Sequence, residues 1–173
     1  MDAFEAISTK LDVREFASKR VPGEIKRKIL EAARLTSSGM NLQEWRFVLV
    51  QDRANIKRLA AASTTGKWVE GADFAIIILI EQKMSIGLID AGRALQDMEL
   101  AAWNFGVASG VYMGLGEAQL RKYFSIPEEL KPTVVLGFGY PKRKILGKKN
   151  RKPLEELVFV ERYGQKIKPS EFS

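Results

Sequence analysis

A β-sheet covered on both faces by helices is the architecture this sequence predicts, and three observations predict it. Phe74 to Ile80 (FAIIILI) is continuously apolar and β-branched, as a strand buried on both faces should be. Asp90 to Phe105 places Ala91, Ala94, Leu95, Met98, Ala101, Ala102 and Phe105 at three- and four-residue spacing, the stripe of a helix with one buried side. Strand-like and helix-like segments are mixed without regular βαβ alternation, so periodicity says little about strand order.

The remaining elements follow in chain order. Pro22 suits a first helical position, and Ile25, Ile29, Ala32 and Ala33 keep one apolar face to about Leu35. Trp45 to Val50 (WRFVLV) reads as a short strand, and Asp52 as the N-cap of a basic helix running through Ala62. Phe74 to Ile80 is the expected centre of the sheet, and Gly106 the C-cap of the long helix. Ser109 to Met113 reads as a strand ending at Gly114-Leu115-Gly116, then a brief helix from Glu117 to Phe124 stops before Pro127. Thr133 to Tyr140 is a further strand ended by Pro141, and Leu157 to Val160 regains β character. No repeat or low-complexity linker divides the chain, so residues 1–173 read as a single domain.

Composition excludes several chemistries. Of 173 residues, 46 % are hydrophobic, enough for a folded core, and none is Cys or His. That removes disulfides, thiol catalysis, Cys-type zinc sites, imidazole bases and Ser-His-Asp relays. Hard-metal sites built from oxygen ligands stay open, as does chemistry carried by an organic cofactor. The N-terminus (MDAFEAISTK) lacks a signal-peptide pattern, and the longest apolar run falls far short of the ~20 residues a membrane span requires. A soluble cytoplasmic protein is the expectation.

The net charge is +7, from 28 basic and 21 acidic residues. All of the excess lies in Lys142 to Lys152 (KRKILGKKNRK), which has seven basic residues and no acidic one. A solvated loop, a phosphate site and a nucleic-acid contact are all compatible with such a run. Nucleic acid is disfavoured, because no aromatic residue interleaves the run and no nucleic-acid motif is present.

Three other places carry polar groups in suggestive patterns. Ser37-Ser38-Gly39-Met40-Asn41-Leu42-Gln43 is turn-forming; it fits a locally bonded Asx or Ser turn, and equally a row of neutral donors and acceptors for a planar ligand. Lys10 and Arg14 lie at or just beyond the end of a first helix, where helix-dipole compensation or an ion pair with Asp12 would account for them. Gly106 to Gly116 holds four glycines, spaced as turns or as a close backbone approach to a ligand, and matching no nucleotide-binding fingerprint.

Taken in order, these segments resemble the FMN-dependent nitroreductase family over nearly the whole chain. Lys10-Leu11-Asp12-Val13-Arg14-Glu15-Phe16 stands where the family has R-R-S-x-R-x-F. Thr36-Ser37-Ser38-Gly39-Met40-Asn41-Leu42-Gln43-Glu44-Trp45-Arg46-Phe47 stands where it has A-P-S-x-x-N-x-Q-P-W-x-F. The helix from Asp90 and the segment Gly106 to Gly114 resemble the family's central helix and flavin-facing strand, and Lys149-Asn150-Arg151 its late K-x-R pair.

The resemblance implies an α+β fold with a mostly antiparallel sheet sandwiched by helices in an intertwined homodimer, the tail near Val158 to Tyr163 pairing with the partner's sheet. It implies FMN as cofactor and NADH or NADPH as electron donor. Lys10, Arg14, Lys149 and Arg151 would hold the FMN phosphate, with Asp12 beside them. Ser38 and Asn41 would reach the flavin across the dimer interface, Ser37 and Gln43 beside them are also expected to bind the cofactor, and backbone at Met113 and Gly114 would face its ring. No side chain is expected to be catalytic, since flavin N5 is the reactive group, and no metal is expected. The implied reaction passes hydride from NAD(P)H to a small-molecule acceptor: a nitroaromatic, a quinone or a similar conjugated compound. Flavin-cleaving or dehalogenating chemistry on the same fold is the alternative enzyme, and a small basic nucleic-acid-binding protein the alternative class. The sequence departs from the pattern at Asp12 (usually Ser), Glu44 (usually Pro) and Leu11 (usually basic).

Overall fold

A computed structural model describes residues 1–81 and 86–172. Four antiparallel strands form one sheet: β1 (Trp45–Val50), β2 (Phe74–Glu81), β3 (Ala108–Tyr112) and β4 (Leu130–Gly139), in the order β1-β2-β4-β3. The helices are α1 (Ala3–Thr9), α2 (Gly23–Leu35), α3 (Arg53–Ala61), α4 (Ile86–Asn104), α5 (Glu117–Phe124) and a single turn, α6 (Leu154–Leu157).

The apolar run lies at the centre because both its faces are used. Phe74, Ile76, Ile78 and Ile80 pack with Ile29 and Ala33 of α2 and with Ala91, Ala94, Met98 and Ala102 of α4. The alternate residues Ala75, Ile77 and Leu79 face Ile56 and Leu59 of α3, Val69 and Leu120 of α5. Period-two alternation thus feeds two cores from one strand, with a helical layer over each. On the α2/α4 face the rings of Phe74 and Phe138 stack with centroids 4.8 Å apart.

Several boundaries differ from the sequence expectation. The long helix starts at Ile86 rather than Asp90, whose side chain bonds to a distant loop instead of capping. The connection between Ile80 and Asp90 falls partly outside the described residues. β4 starts at Leu130, three residues early, because Pro132 is accommodated where the β2–β4 register shifts between Ile78 and Leu79. β3 is displaced by one residue, to Ala108–Tyr112. In the tail, Leu157 closes α6 and Phe159 makes one isolated bridge to Lys166, so the β character of Leu157 to Val160 yields no strand among the described residues.

Candidate functional site

The chain leaving α1 runs beside β3, on the sheet edge. Asp12 forms a parallel bridge with Ser109, whose carbonyl accepts from the Val13 N–H at 2.8 Å. Lys10, the C-cap of α1, turns inward and is 7 % exposed. Its ammonium donates to Glu99 Oε1 of α4 at 2.6 Å and to Asp12 Oδ1. Ser109 Oγ also donates to Glu99 Oε1, at 2.7 Å. Lys10 is therefore held by buried carboxylate chemistry rather than by the helix dipole, and Asp12 pairs with Lys10 instead of Arg14. Arg14 is exposed, with its guanidinium carbon 5.8 Å from the Trp68 ring centroid and no ion pair among the described residues.

The basic run folds back along this same segment. The Lys142 N–H donates to the Glu15 carbonyl, and Lys149 Nζ to the carbonyl of Ile7 in the last turn of α1. Lys149 lines a cleft with Ser8, Thr9, Leu11 and Trp103. Arg151 is exposed and donates to the Asn150 carbonyl at 2.8 Å. Lys142, Arg143, Lys144, Lys148 and Lys152 are exposed as well. Lys149 thus reaches the α1 end that also carries Lys10, from the Leu11 side.

The end of β3 is built on close backbone approach. The Gly114 carbonyl accepts from the Thr64 N–H at 2.9 Å and from Ser63 Oγ at 3.2 Å. A Cβ on Gly114 would lie 2.3 and 2.4 Å from the Thr64 and Thr65 hydroxyl oxygens, so only glycine fits there. Among the described residues the N–H groups of Met113 and Gly114 have no acceptor.

The polar loop lies elsewhere. Ser38 Oγ accepts from the Gln43 N–H at 3.2 Å, and Gln43 Nε2 donates to Asn41 Oδ1 at 3.1 Å, so the locally bonded turn is real. Met40, Asn41 and Gln43 all have left-handed backbone, with φ of 50°, 56° and 52°. That is a conformation non-glycine residues adopt sparingly, and one that clusters at ligand clamps. Two contacts pin the loop to α4: Thr36 Oγ1 to Asp97 Oδ2 at 2.6 Å, and the Gly39 N–H to Asp90 Oδ2 at 3.0 Å. Ser37, Asn41 and Gln43 face solvent and Ser38 is half-buried.

Within one chain these groups do not converge. The loop enters β1 and the Lys10, Asp12 and Gly114 group borders β3, the opposite edge strand, about 14 Å away across three strand spacings. Along α4, Asp90 and Glu99 are separated by about 13 Å of helix. The loop and Met113 do share one end of the sheet, where β1 begins and β3 finishes.

The nitroreductase family profile matches residues 7–85 and 63–140. The chain belongs to the nitroreductase family. It is 32 % identical over 149 residues to a Methanothermobacter thermautotrophicus protein named "Putative NADH dehydrogenase/NAD(P)H nitroreductase", covering 82 % of this chain and 78 % of that one. A Bacteroides thetaiotaomicron crystal structure of the same name superposes with a TM-score of 0.86 at 29 % identity, over 93 % of this chain and 98 % of that one. At 20 % identity, an FMN-dependent nitroreductase from Clostridium difficile shares the fold with a TM-score of 0.85, over 92 % and 99 % of the two chains. The chain thus has the nitroreductase fold, and its relatives' names support an oxidoreductase.

Sequence reasoning missed Glu99, Asp90 and Trp68 in this chain. Glu99 carried a usable signal: a charged residue inside the apolar stripe between Leu95 and Ala102 must find a buried partner. Asp90 was read as a helix start, and nothing local reveals its bond to Gly39. Among the described residues, two buried side-chain atoms have no hydrogen-bond partner, Trp68 Nε1 and Glu44 Oε2. Glu44, the departure from the motif proline, points toward the first turn of α4, where a Cβ on Gly87 would be 3.5 Å from Oε2.

Proposed function

We propose that this chain is an FMN-dependent oxidoreductase passing hydride from NADH or NADPH to a nitroaromatic, quinone or similar conjugated acceptor. It would work in the cytoplasm as a homodimer, with residues 1–173 forming a single FMN-binding domain. One observation carries the reading: the polar loop and the cationic, glycine-built β3 edge lie on opposite sides of one sheet. A planar ligand needing both is enclosed when a second copy brings its Ser37–Gln43 loop to this copy's β3 edge. Apolar surface for such an interface is available, since Phe4, Met40, Leu88, Ile89, Leu154 and Leu157 are exposed.

The residues fit a flavin mononucleotide. Arg14, which meets no carboxylate among the described residues, and Lys149 and Arg151, which donate to backbone carbonyls, offer charge-assisted donors to a phosphomonoester, with Lys10 behind them. The unpaired N–H groups of Met113 and Gly114 offer donors to a ring edge. Ser37, Ser38, Asn41 and Gln43 supply neutral donors and acceptors to the other side, held in place through Asp90 and Asp97. When bound, FMN supplies the N5 position that accepts and gives hydride, so the protein contributes position and charge rather than an acid or base.

The test is a flavin titration of the purified protein, a solution mass, and NADH and NADPH oxidation with a panel of acceptors. A flavin spectrum, a dimeric mass and acceptor-dependent turnover are expected. A protein whose absorbance is unchanged by added FMN overturns the reading, and a monomer that retains full FMN overturns the two-chain site.

A further inference from the structure

Lys10 is a cation with its counter-charge already in place. Its side chain is 8 % exposed and its ammonium serves two carboxylates, Glu99 and Asp12. The two differ in freedom. Glu99 is 4 % exposed and fixed by a second donor, Ser109 Oγ, inside the packing of α4 on β3. The Asp12 side chain is 57 % exposed and has Lys10 as its ion-pair partner. Of the two carboxylates on the ammonium, Glu99 is the buried one and Asp12 the exposed one, so an anion arriving from solvent meets Lys10 on the side that Asp12 occupies. One ammonium against two carboxylates leaves this triad with a net negative charge, two residues before Arg14, whose guanidinium has no ion pair among the described residues.

We propose that Asp12 is an internal competitor for the ligand phosphate at Lys10. It occupies the outward-facing part of the ammonium and thereby sets how strongly a flavin bearing a phosphate is preferred over the same flavin without one. This rests on the FMN reading above and adds a specificity residue to it. An acceptor already bonded to Lys10 must give way to the phosphate or remain beside it as a like charge, and both oppose binding. The phosphate therefore contributes less affinity than four cations would suggest, and FMN exchanges readily with free flavin. A hydroxyl or amide at position 12 would not carry that opposing charge.

The experiment compares FMN and riboflavin binding to the wild-type protein and to Asp12→Asn, by flavin fluorescence at low salt. The substitution keeps the side-chain shape at an exposed position, so the fold is retained. FMN affinity is expected to rise about tenfold in the variant with riboflavin affinity unchanged, so that the ratio of the two rises. An unchanged ratio overturns the proposal, as does weaker FMN binding, which would make Asp12 an organiser of the phosphate site. Wild-type protein that binds neither flavin overturns the FMN reading and this proposal with it. Wild-type protein that binds both flavins, with a ratio indifferent to Asp12, overturns this proposal alone.

Discussion

Lys10 Nζ and Glu99 Oε1 lie 2.6 Å apart, 89 residues distant in sequence and nearly enclosed by protein. This pair ties the end of α1 to the middle of α4. Removing Glu99 leaves the buried Lys10 ammonium with the half-exposed Asp12, and deprives the Ser109 hydroxyl of its acceptor. Glu99→Leu is expected to cost about 3–5 kcal/mol in chemical denaturation, and Lys10→Met with Glu99→Leu to recover most of it. A single variant as stable as wild type would show that the pair contributes nothing.

Asp90 is 1 % exposed and holds the Ser37–Gln43 loop through the Gly39 N–H while pairing with Arg93. Asp90→Ala should lower stability by about 1–3 kcal/mol, because a buried donor loses its acceptor. Cleavage within Ser37 to Gln43 during limited proteolysis should accelerate. Equal cleavage rates in the two proteins would show that α4 does not pin the loop.

At the β3 end, Gly114→Ala would press a methyl group against the hydroxyls of Thr64 and Thr65. We expect a loss of about 1–3 kcal/mol and weaker flavin binding, as the Ser63–Thr64 segment moves away from the Gly114 carbonyl. Unaltered stability together with unaltered flavin spectra would count against the close approach.

The proposed FMN site assigns the exposed cations Arg14 and Arg151 to the phosphate. Arg14→Ala and Arg151→Ala should each weaken FMN binding by roughly 1.5–3 kcal/mol while leaving riboflavin binding nearly unchanged. If neither loses FMN affinity, the phosphate is held elsewhere.

Burial raises the Tyr112 phenol well above the usual tyrosine range, and its hydroxyl donates to the Leu59 carbonyl at 3.5 Å. The unfolded chain loses this proton near pH 10 whereas the folded protein keeps it, so the contribution is complete below about pH 10 and declines above. Tyr112→Phe should remove that decline, making stability less steep between about pH 10 and 11.5 by up to ~1.4 kcal/mol per pH unit. Matching slopes in the two proteins would contradict the shift.

The sequence by itself determined the layers. Phe74 to Ile80 could lie only where both faces are covered, the stripe from Ala91 to Ala102 could face only a core, and the absence of His and Cys left little chemistry to side chains. It also supplied the residue groups proposed for the site, since the family pattern is carried by short local motifs. The tertiary structure alone decided what those groups do to one another. Periodicity is blind to partners 89 residues apart, so it could not show that Lys10 is neutralised by Glu99 and Asp12, nor that Asp90 holds a loop 51 residues before it. Nor could it show that the loop and the cations occupy opposite edges, which depends on the order β1-β2-β4-β3 and thus on pairing between distant strands. Local sequence sets burial and turn chemistry through the nearest few residues; the electrostatics of this site come from contacts that exist only once the chain has closed on itself.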